Sequence, residues 1–430
     1  MKITIKDCTY LNADLEAIQG SIGIEEDRIA WISDQIPANW IADEIILGTN
    51  KLATPGLVNT HNHAAMVLLR SYADDLLLQD WLQKEIWPIE ANLTGEDVYW
   101  GTQLSLLEMI RTGTTTFCDM YFFMDQVAET VEKSGMRAVL CRGITSIGND
   151  GEEKLKESEE LFHTWHGKGE GRISVWHGPH APYTCSPEFL KKVIASAERL
   201  NMNIHIHLSE TAQEVKDCFA LHDKSPIALM DSLGMFEVHT LGAHCVHLSK
   251  EDMDLLSAKK VNVAHNPGSN LKLASGISPV AELKAKNITV ALGTDGAASN
   301  NNQDLLEEIR LAALLHKATT NDPTTISAKE ALAMGTSEGA KALALPELGL
   351  IQVGYKADLV LFDMSEPHWY PKHNLLANLV YSANSSDVSD VVINGKIVLK
   401  DKEHTTLDKE RILFEASGRT KSLIERRQKN

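Results

Sequence analysis

The sequence contains no run of 18 or more apolar residues, so nothing in it is built to cross a membrane as a helix. It contains no Cys-x-x-Cys pair. Its six cysteines, Cys8, Cys118, Cys141, Cys185, Cys218 and Cys245, are scattered along a long chain and read as reduced, mostly buried thiols. A cysteine-based zinc site is thereby set aside, and any metal must be held by histidines and carboxylates. Positive charge is scarce: 41 Lys and Arg stand against 59 Asp and Glu, a formal net charge of −18. A general phosphate-backbone binder needs a basic face, so no nucleic-acid partner is expected. The opening segment MKITIKDCTYL alternates like a strand and lacks the apolar stretch and cleavage site of a signal peptide, which makes a cytoplasmic location the expectation. No internal repeat and no low-complexity tract is present. What remains is an ordinary globular composition, 43% hydrophobic and 23% charged, over 430 residues. That length suits a large barrel with a small appended domain.

The texture changes twice along the chain. Residues 1–54 are short alternating strands broken by turn residues. From Thr54-Pro55-Gly56, short apolar strands alternate with helical stretches, the pattern of a parallel β/α architecture. Strand texture returns near Gly349, with Leu359–Phe362, then Val391–Ile393 and Ile397–Leu399 around Asn394-Gly395, a strong hairpin signal. The last twenty residues are charged and helical. Eight central strands are expected: Leu57–His63, Thr114–Met120, Arg137–Gly143, Ile173–Gly178, Asn203–Leu208, Thr240–His244, Val261–His265 and Thr289–Thr294. Helix signals separate them, including the capping pattern Thr94-Gly95-Glu96-Asp97, Ser186-Pro187 at a helix start and Ser134-Gly135 at a helix end. The expected fold is a (β/α)8 TIM barrel over residues 55–354. A small β-sandwich domain with a C-terminal helix is expected from residues 1–54 and 355–430. The active site belongs at the C-terminal strand ends.

Those strand ends carry an unusual set of polar residues. His61 and His63 lie two apart on the first strand and so point to the same side. His207 ends the fifth strand, His244 the sixth, and Asp295 the eighth. Polar groups placed behind apolar runs are costly to desolvate unless they are paired or metal-bound. Strand ends of one barrel converge. His177, His205, His247 and His265 also lie near strand ends and read as supporting or packing residues.

The segments Pro55-Gly-Leu-Val-Asn-Thr-His-Asn-His63, His207-Leu-Ser-Glu210, Gly242-Ala-His244 and Gly293-Thr-Asp-Gly296 resemble the amidohydrolase superfamily. Within it they resemble the deaminase branch that handles S-adenosylhomocysteine and methylthioadenosine, together with triazine-type hydrolases. The resemblance runs from Pro55 to about Asp363. The tail pattern from Gly349-Leu-Ile351 to Ala357-Asp-Leu-Val360 is similar to that superfamily's β-sandwich. It implies His61, His63, His207 and Asp295 as metal ligands and His244 as a residue near the metal. Two-metal members bridge their ions with a carboxylated lysine on the fourth strand. Here that strand, Ile173–Gly178, has no lysine, so one Zn2+ per subunit is expected, with Fe2+ compatible with the same donors.

The resemblance also suggests chemistry. Asp295 would ligate the metal and accept a proton from water, Glu210 would protonate a ring nitrogen, and His244 would hydrogen-bond the developing oxyanion. Glu90 is implied as the acceptor for ribose hydroxyls. Arg142 would face the sulfur-side tail, His180 the base or ribose, and Ser299 the ring. The loop after the third strand, Ser146–Lys154, lacks the family's second arginine, and Lys154 is a point charge without a guanidinium fork. Methylthioadenosine or adenosine is therefore expected to serve as well as, or better than, a carboxylate-bearing nucleoside. The implied function is hydrolytic deamination of an adenosine-type nucleoside. A triazine-type hydrolase, a guanine deaminase and a non-catalytic assembly barrel are the alternatives. The expected partner is a small-molecule nucleoside, and the sequence is compatible with a homo-oligomer.

Overall fold

The computed structural model describes residues 1–429. Five strands precede the barrel: β1 (Lys2–Leu11), β2 (Ala17–Glu25), β3 (Arg28–Ser33), β4 (Glu44–Leu47) and β5 (Lys51–Pro55). The barrel strands are β6 (Leu57–Asn62), β7 (Thr114–Tyr121), β8 (Arg137–Ile144), β9 (Ile173–Pro179), β10 (Ile204–Leu208), β11 (Thr240–His244), β12 (Asn262–His265) and β13 (Val290–Leu292). Four more follow: β14 (Leu359–Asp363), β15 (Val388–Ile393), β16 (Lys396–Lys400) and β17 (Glu403–His404).

Strands β6 to β13 pair in chain order, all parallel, with helices between them. The seam between β13 and β6 is closed by hydrogen bonds from Asp295 N–H to the His61 carbonyl (2.9 Å) and from the Thr60 hydroxyl to the Leu292 carbonyl (2.9 Å). Asn59 adds two bonds to Thr294, through its Nδ2 to Oγ1 and its Oδ1 from the amide. The interior is a packed core of small and medium side chains, Val58, Cys118, Met120, Val139, Cys141, Leu241, Ala264 and Ala291, with Trp176 and Leu343 toward its base. All six cysteines are buried and free.

The strands from the two chain ends form one mixed sheet in the order β17-β16-β15-β14-β5-β1-β2-β3, with β4 paired to β1. Its two faces follow the period of two. On β14, Leu359 and Leu361 join a core of the terminal strands themselves, while Val360 and Phe362 pack into the main core. The β15–β16 turn at Asn394 (φ 51°) and Gly395 (φ 71°) has the positive angles of a two-residue hairpin. Glycine is required there: a Cβ on Gly395 would meet the Glu26 carbonyl oxygen at 1.7 Å. Arg137 ties the barrel to this sheet through a buried two-point pair with Asp358 and a bond to Asn394.

The C-terminal helix Lys409–Lys429, grouped with the terminal sheet on sequence grounds, packs on the barrel's outer layer. Its buried Ile412, Ala416 and Leu423 make the stripe, and its basic residues reach helix Gly95–Arg111. Arg419 pairs with Glu96 at 2.7 Å, Arg426 donates to the Asn92 carbonyl and Asp97, and Arg411 lies over Trp100. No helix among the described residues is long and apolar enough to cross a membrane.

Candidate metal centre and active site

Every residue of β6 is buried, and its end delivers His61 and His63 to the barrel mouth with ring centroids 4.9 Å apart. Strand β10 brings His207 to 4.8 Å from His61, and β11 brings His244, which stacks on His207 at 5.5 Å. Asp295 lies three residues past β13 at φ 61°, a left-handed backbone that costs roughly 1 kcal/mol or more and persists only where the surroundings impose it. The hydrogen bond from its N–H to the His61 carbonyl supplies part of that constraint. Gly293 permits the approach, because a Cβ there would stand 2.8 Å from the Cβ of His61.

The donor atoms converge. Asp295 Oδ1 lies 3.5 Å from His61 Nε2 and 3.3 Å from His63 Nε2, and Oδ2 lies 4.0 Å from His244 Nε2. The ligand atoms of His61, His63 and Asp295 are mutually within 4.8 Å, and so are those of His61, His207 and His244. His61 belongs to both groups, so the four expected ligands and His244 are gathered around its ring.

The surrounding hydrogen bonds orient the rings. The Nδ1 of His63 faces the Met120 carbonyl at 2.6 Å, and that of His207 faces the His180 carbonyl at 2.6 Å. A carbonyl only accepts, so both rings carry their proton on Nδ1 and turn the Nε2 lone pair inward. For His61 the partner is His205. His61 Nδ1 donates to His205 Nε2 at 2.8 Å, and His205 Nδ1 donates in turn to the Leu241 carbonyl at 3.1 Å. His61 Nε2 is then a fully buried acceptor with no hydrogen-bond partner. Buried polar atoms are rarely left in that state. Three imidazole lone pairs and a carboxylate fit a divalent ion of zinc type. Asp295 is itself braced, accepting from Ser269 Oγ at 2.6 Å and Gly296 N–H at 2.7 Å. Burial opposes its charge, but the imidazoles of His61, His63 and His244 around it outweigh burial and hold the carboxyl well below the usual range.

A cavity opens from this cluster. Glu210 enters it with Oε2 at 3.7 Å from His244 Nε2 and Oε1 at 3.4 Å from the Ser275 hydroxyl. Burial pushes its pKa up, against the lowering effect of His244. For His244 burial works downward, and the carboxylates of Glu210 and Asp295 overcome it and raise the pKa; its Nδ1 is held by Asn270 Oδ1 at 2.8 Å. Glu90 lines the same cavity and is pushed up to about 7 by burial, the Tyr121 hydroxyl at 2.7 Å opposing only part of the shift. His180 also lines it, 4.7 Å from His207, with Nδ1 at 3.0 Å from Thr184 Oγ1.

Two sequence-derived candidates stand elsewhere. Arg142 does not line the cavity: strand alternation turns it outward, where Nε donates to Glu157 Oε2 at 2.6 Å and the guanidinium lies over Phe122. Its neighbours Gly143 and Thr145 line the wall instead, and Lys154 bonds the Thr145 hydroxyl at 2.9 Å. Ser299 is buried behind Asp295. Its Oγ lies 3.0 Å from Ser269 Oγ, and the Ser269 hydroxyl donates to the Asp295 carboxylate. His177 bonds Ser158 and Ser196, and His265 pairs with His316, both away from the cavity. The sequence reading missed the apolar wall of Leu78, Trp81, Leu82 and Trp87, together with Tyr121 and Tyr183. The signal was the clustering of two tryptophans just before Glu90.

Comparison with known proteins follows the same lines. The amidohydrolase family model matches residues 52–398. A 5-methylthioadenosine/S-adenosylhomocysteine deaminase of Thermoanaerobacter pseudethanolicus is 52% identical over 409 residues, covering 94% of this chain and 95% of that one. One of Moorella thermoacetica is 50% identical over 422 residues, covering 97% and 99%. The structure of an adenosine deaminase from Xanthomonas campestris with bound zinc superposes with a TM-score of 0.94 at 34% identity, covering 98% of each chain. With that match spanning most of its length, and a barrel whose strand ends gather the donors for a divalent metal, the chain belongs to the amidohydrolase family.

Proposed function

We propose that this chain is a zinc-dependent aminohydrolase that converts an adenosine-type nucleoside, 5-methylthioadenosine, S-adenosylhomocysteine or adenosine, to its inosine analogue with release of ammonia. One observation carries the reading. Beside Asp295, a single cavity holds two further carboxyl groups in different company: Glu210, buried next to His244, and Glu90, half-buried against Tyr121. The first suits proton transfer to a heterocycle, and the second suits a vicinal diol.

His61, His63, His207 and Asp295 would hold one ion. Such an ion supplies Lewis acidity that makes water a nucleophile near neutral pH. Asp295 Oδ2 takes the proton released as water adds to the amino-bearing ring carbon. Glu210 gives a proton to the adjacent ring nitrogen, so the ring's electron pair has a place to go. His244 Nε2, between Glu210 and Asp295, hydrogen-bonds the oxygen that develops charge. The proton on Asp295 passes to the exocyclic nitrogen, ammonia leaves, and the new hydroxyl gives its proton to the Glu210 carboxylate, which leaves the carbonyl and restores both groups. Leu78, Trp81, Leu82 and Trp87 exclude bulk water around these steps. A triazine or a guanine base has no diol for Glu90, which places those substrates second.

The relatives named above carry the same substrate names, which supports the reading. The test is Glu210→Gln: it should retain metal and lose most turnover of methylthioadenosine. Near wild-type turnover would remove Glu210 from the mechanism.

A further inference from the structure

A proton carrier at Glu210 makes demands on the turn that bears it. Ser209 leaves β10 at φ 51°, in the left-handed region. Its carbonyl accepts from Val246 N–H at 3.1 Å and His247 N–H at 2.9 Å, which ties the turn to the exit of β11. On the other side, the amides of Ser209 and Glu210 both point at one carboxylate. Glu214 Oε1 accepts from Ser209 N–H at 3.0 Å and Oε2 from Glu210 N–H at 2.7 Å. Glu214 is buried and does not line the cavity that Glu210 enters.

In sequence, Thr211-Ala212-Gln213-Glu214 is a capping box, in which the glutamate normally returns to the amide of the capping residue. The boxes at Thr94–Asp97, Ser249–Asp252 and Ser327–Glu330 in this chain behave that way, with bonds of 2.8, 2.9 and 2.9 Å. At Thr211 only the first half is kept: Thr211 Oγ1 accepts from Glu214 N–H at 3.1 Å. The carboxylate reaches past the capping amide to the two amides before it. A helix cap needs no such reach, whereas a fixed Glu210 does.

We propose that Glu214 is a positioning residue: it clamps the Ser209–Glu210 backbone so that the Glu210 carboxyl stands beside His244, without touching substrate itself. This rests on the reading of Glu210 as the proton carrier. The test uses the metal-loaded full chain with methylthioadenosine, and Glu214→Gln made in the wild type and in a Glu210→Gln background. Gln keeps one acceptor oxygen and turns a donor toward the second amide. In the wild type kcat should fall roughly 10- to 100-fold, with KM within about threefold and metal content unchanged. In the Glu210→Gln background the same substitution should change kcat by less than about twofold, because the group it positions is gone. Equal fold-losses in both backgrounds would overturn the proposal. Thr211→Ala, which removes the cap and neither clamped amide, should lower the thermal midpoint and spare kcat; kcat falling in step with the midpoint across both variants would reduce Glu214 to a helix cap. Should Glu214→Gln fail to fold, Glu214→Asp, with its carboxylate drawn back one methylene, is judged by the same criteria. An inactive Glu210→Gln with a fully active Glu214→Gln would overturn this proposal alone. A fully active Glu210→Gln would overturn both.

Discussion

Replacing Glu90 by Gln should improve the fold at alkaline pH while impairing the enzyme. Glu90 is half-buried against apolar side chains with one polar side-chain partner, Tyr121, and desolvation raises its pKa from 4.5 to about 7. A carboxyl group whose folded pKa lies above its unfolded value costs nothing below the unfolded pKa. Between pH 4.5 and 7 the unfolded chain ionises at this site before the folded chain does, so stability is lost as pH rises. Above 7 the loss is complete, about 3 kcal/mol at 1.36 kcal/mol per unit. Gln cannot ionise and escapes this loss, although its amide carries a pH-independent cost of its own. Comparing pH 5 with pH 8 cancels that constant and leaves about 2.5 kcal/mol. An unfolding entropy of about 0.9 kcal/mol/K for a chain of this size converts it to ~3 °C. Scanning calorimetry of both proteins at the two pH values should therefore show the midpoint of Glu90→Gln rising against wild type by that amount. In parallel, losing the charged acceptor for the ribose diol should lower kcat/KM for methylthioadenosine roughly 10- to 100-fold. A midpoint difference that is the same at pH 5 and pH 8, together with unchanged kcat/KM, would refute the argument about this carboxyl.

Further outcomes follow from the same geometry. Glu210→Gln should lower kcat by about 10²-fold or more with metal content unchanged, checked by steady-state kinetics and metal analysis on one sample. His205→Ala removes the acceptor that fixes the His61 ring and should weaken metal affinity roughly 10- to 100-fold in a competition titration with a chelator. Ser269→Ala deletes the hydroxyl on Asp295 Oδ2 and should weaken metal affinity less than His205→Ala does, since Gly296 still holds Oδ1. Arg137→Met leaves Asp358 charged and buried between barrel and terminal sheet, a loss of about 3–5 kcal/mol that lowers the thermal midpoint by several degrees.

The barrel was legible because each central strand is a short apolar run bounded by turn residues, and the polar residue ending it marks the barrel mouth. The strand Thr240–His244 spans the residues its apolar run marks, and Asn394-Gly395 forms the hairpin turn its dipeptide signals. The last strand is shorter than expected, Val290–Leu292, because Gly293 and the left-handed Asp295 break the ladder to bring the carboxylate to His61. Residues whose role depends on side-chain direction were less legible. Arg142 and Cys141 are neighbours on β8, and alternation sends Cys141 inward and Arg142 out to Glu157. Ser299 lies near the site in sequence but behind Asp295 in space. The Leu78–Trp87 wall carries no strand signal and shows only as clustered aromatics. The C-terminal helix presents its apolar stripe at wide spacing, so its charge pattern did not reveal that it packs on Gly95–Arg111 rather than on the terminal sheet.

The central claim is tested most directly by one assay on one preparation: loss of adenine absorbance with methylthioadenosine, followed together with metal content. The account predicts turnover to the inosine analogue with ammonia release, close to one zinc per chain, and activity that falls and returns in proportion to zinc removed and restored. Turnover of a chlorotriazine with none of any adenosine, or full activity in a preparation stripped of metal, would contradict it.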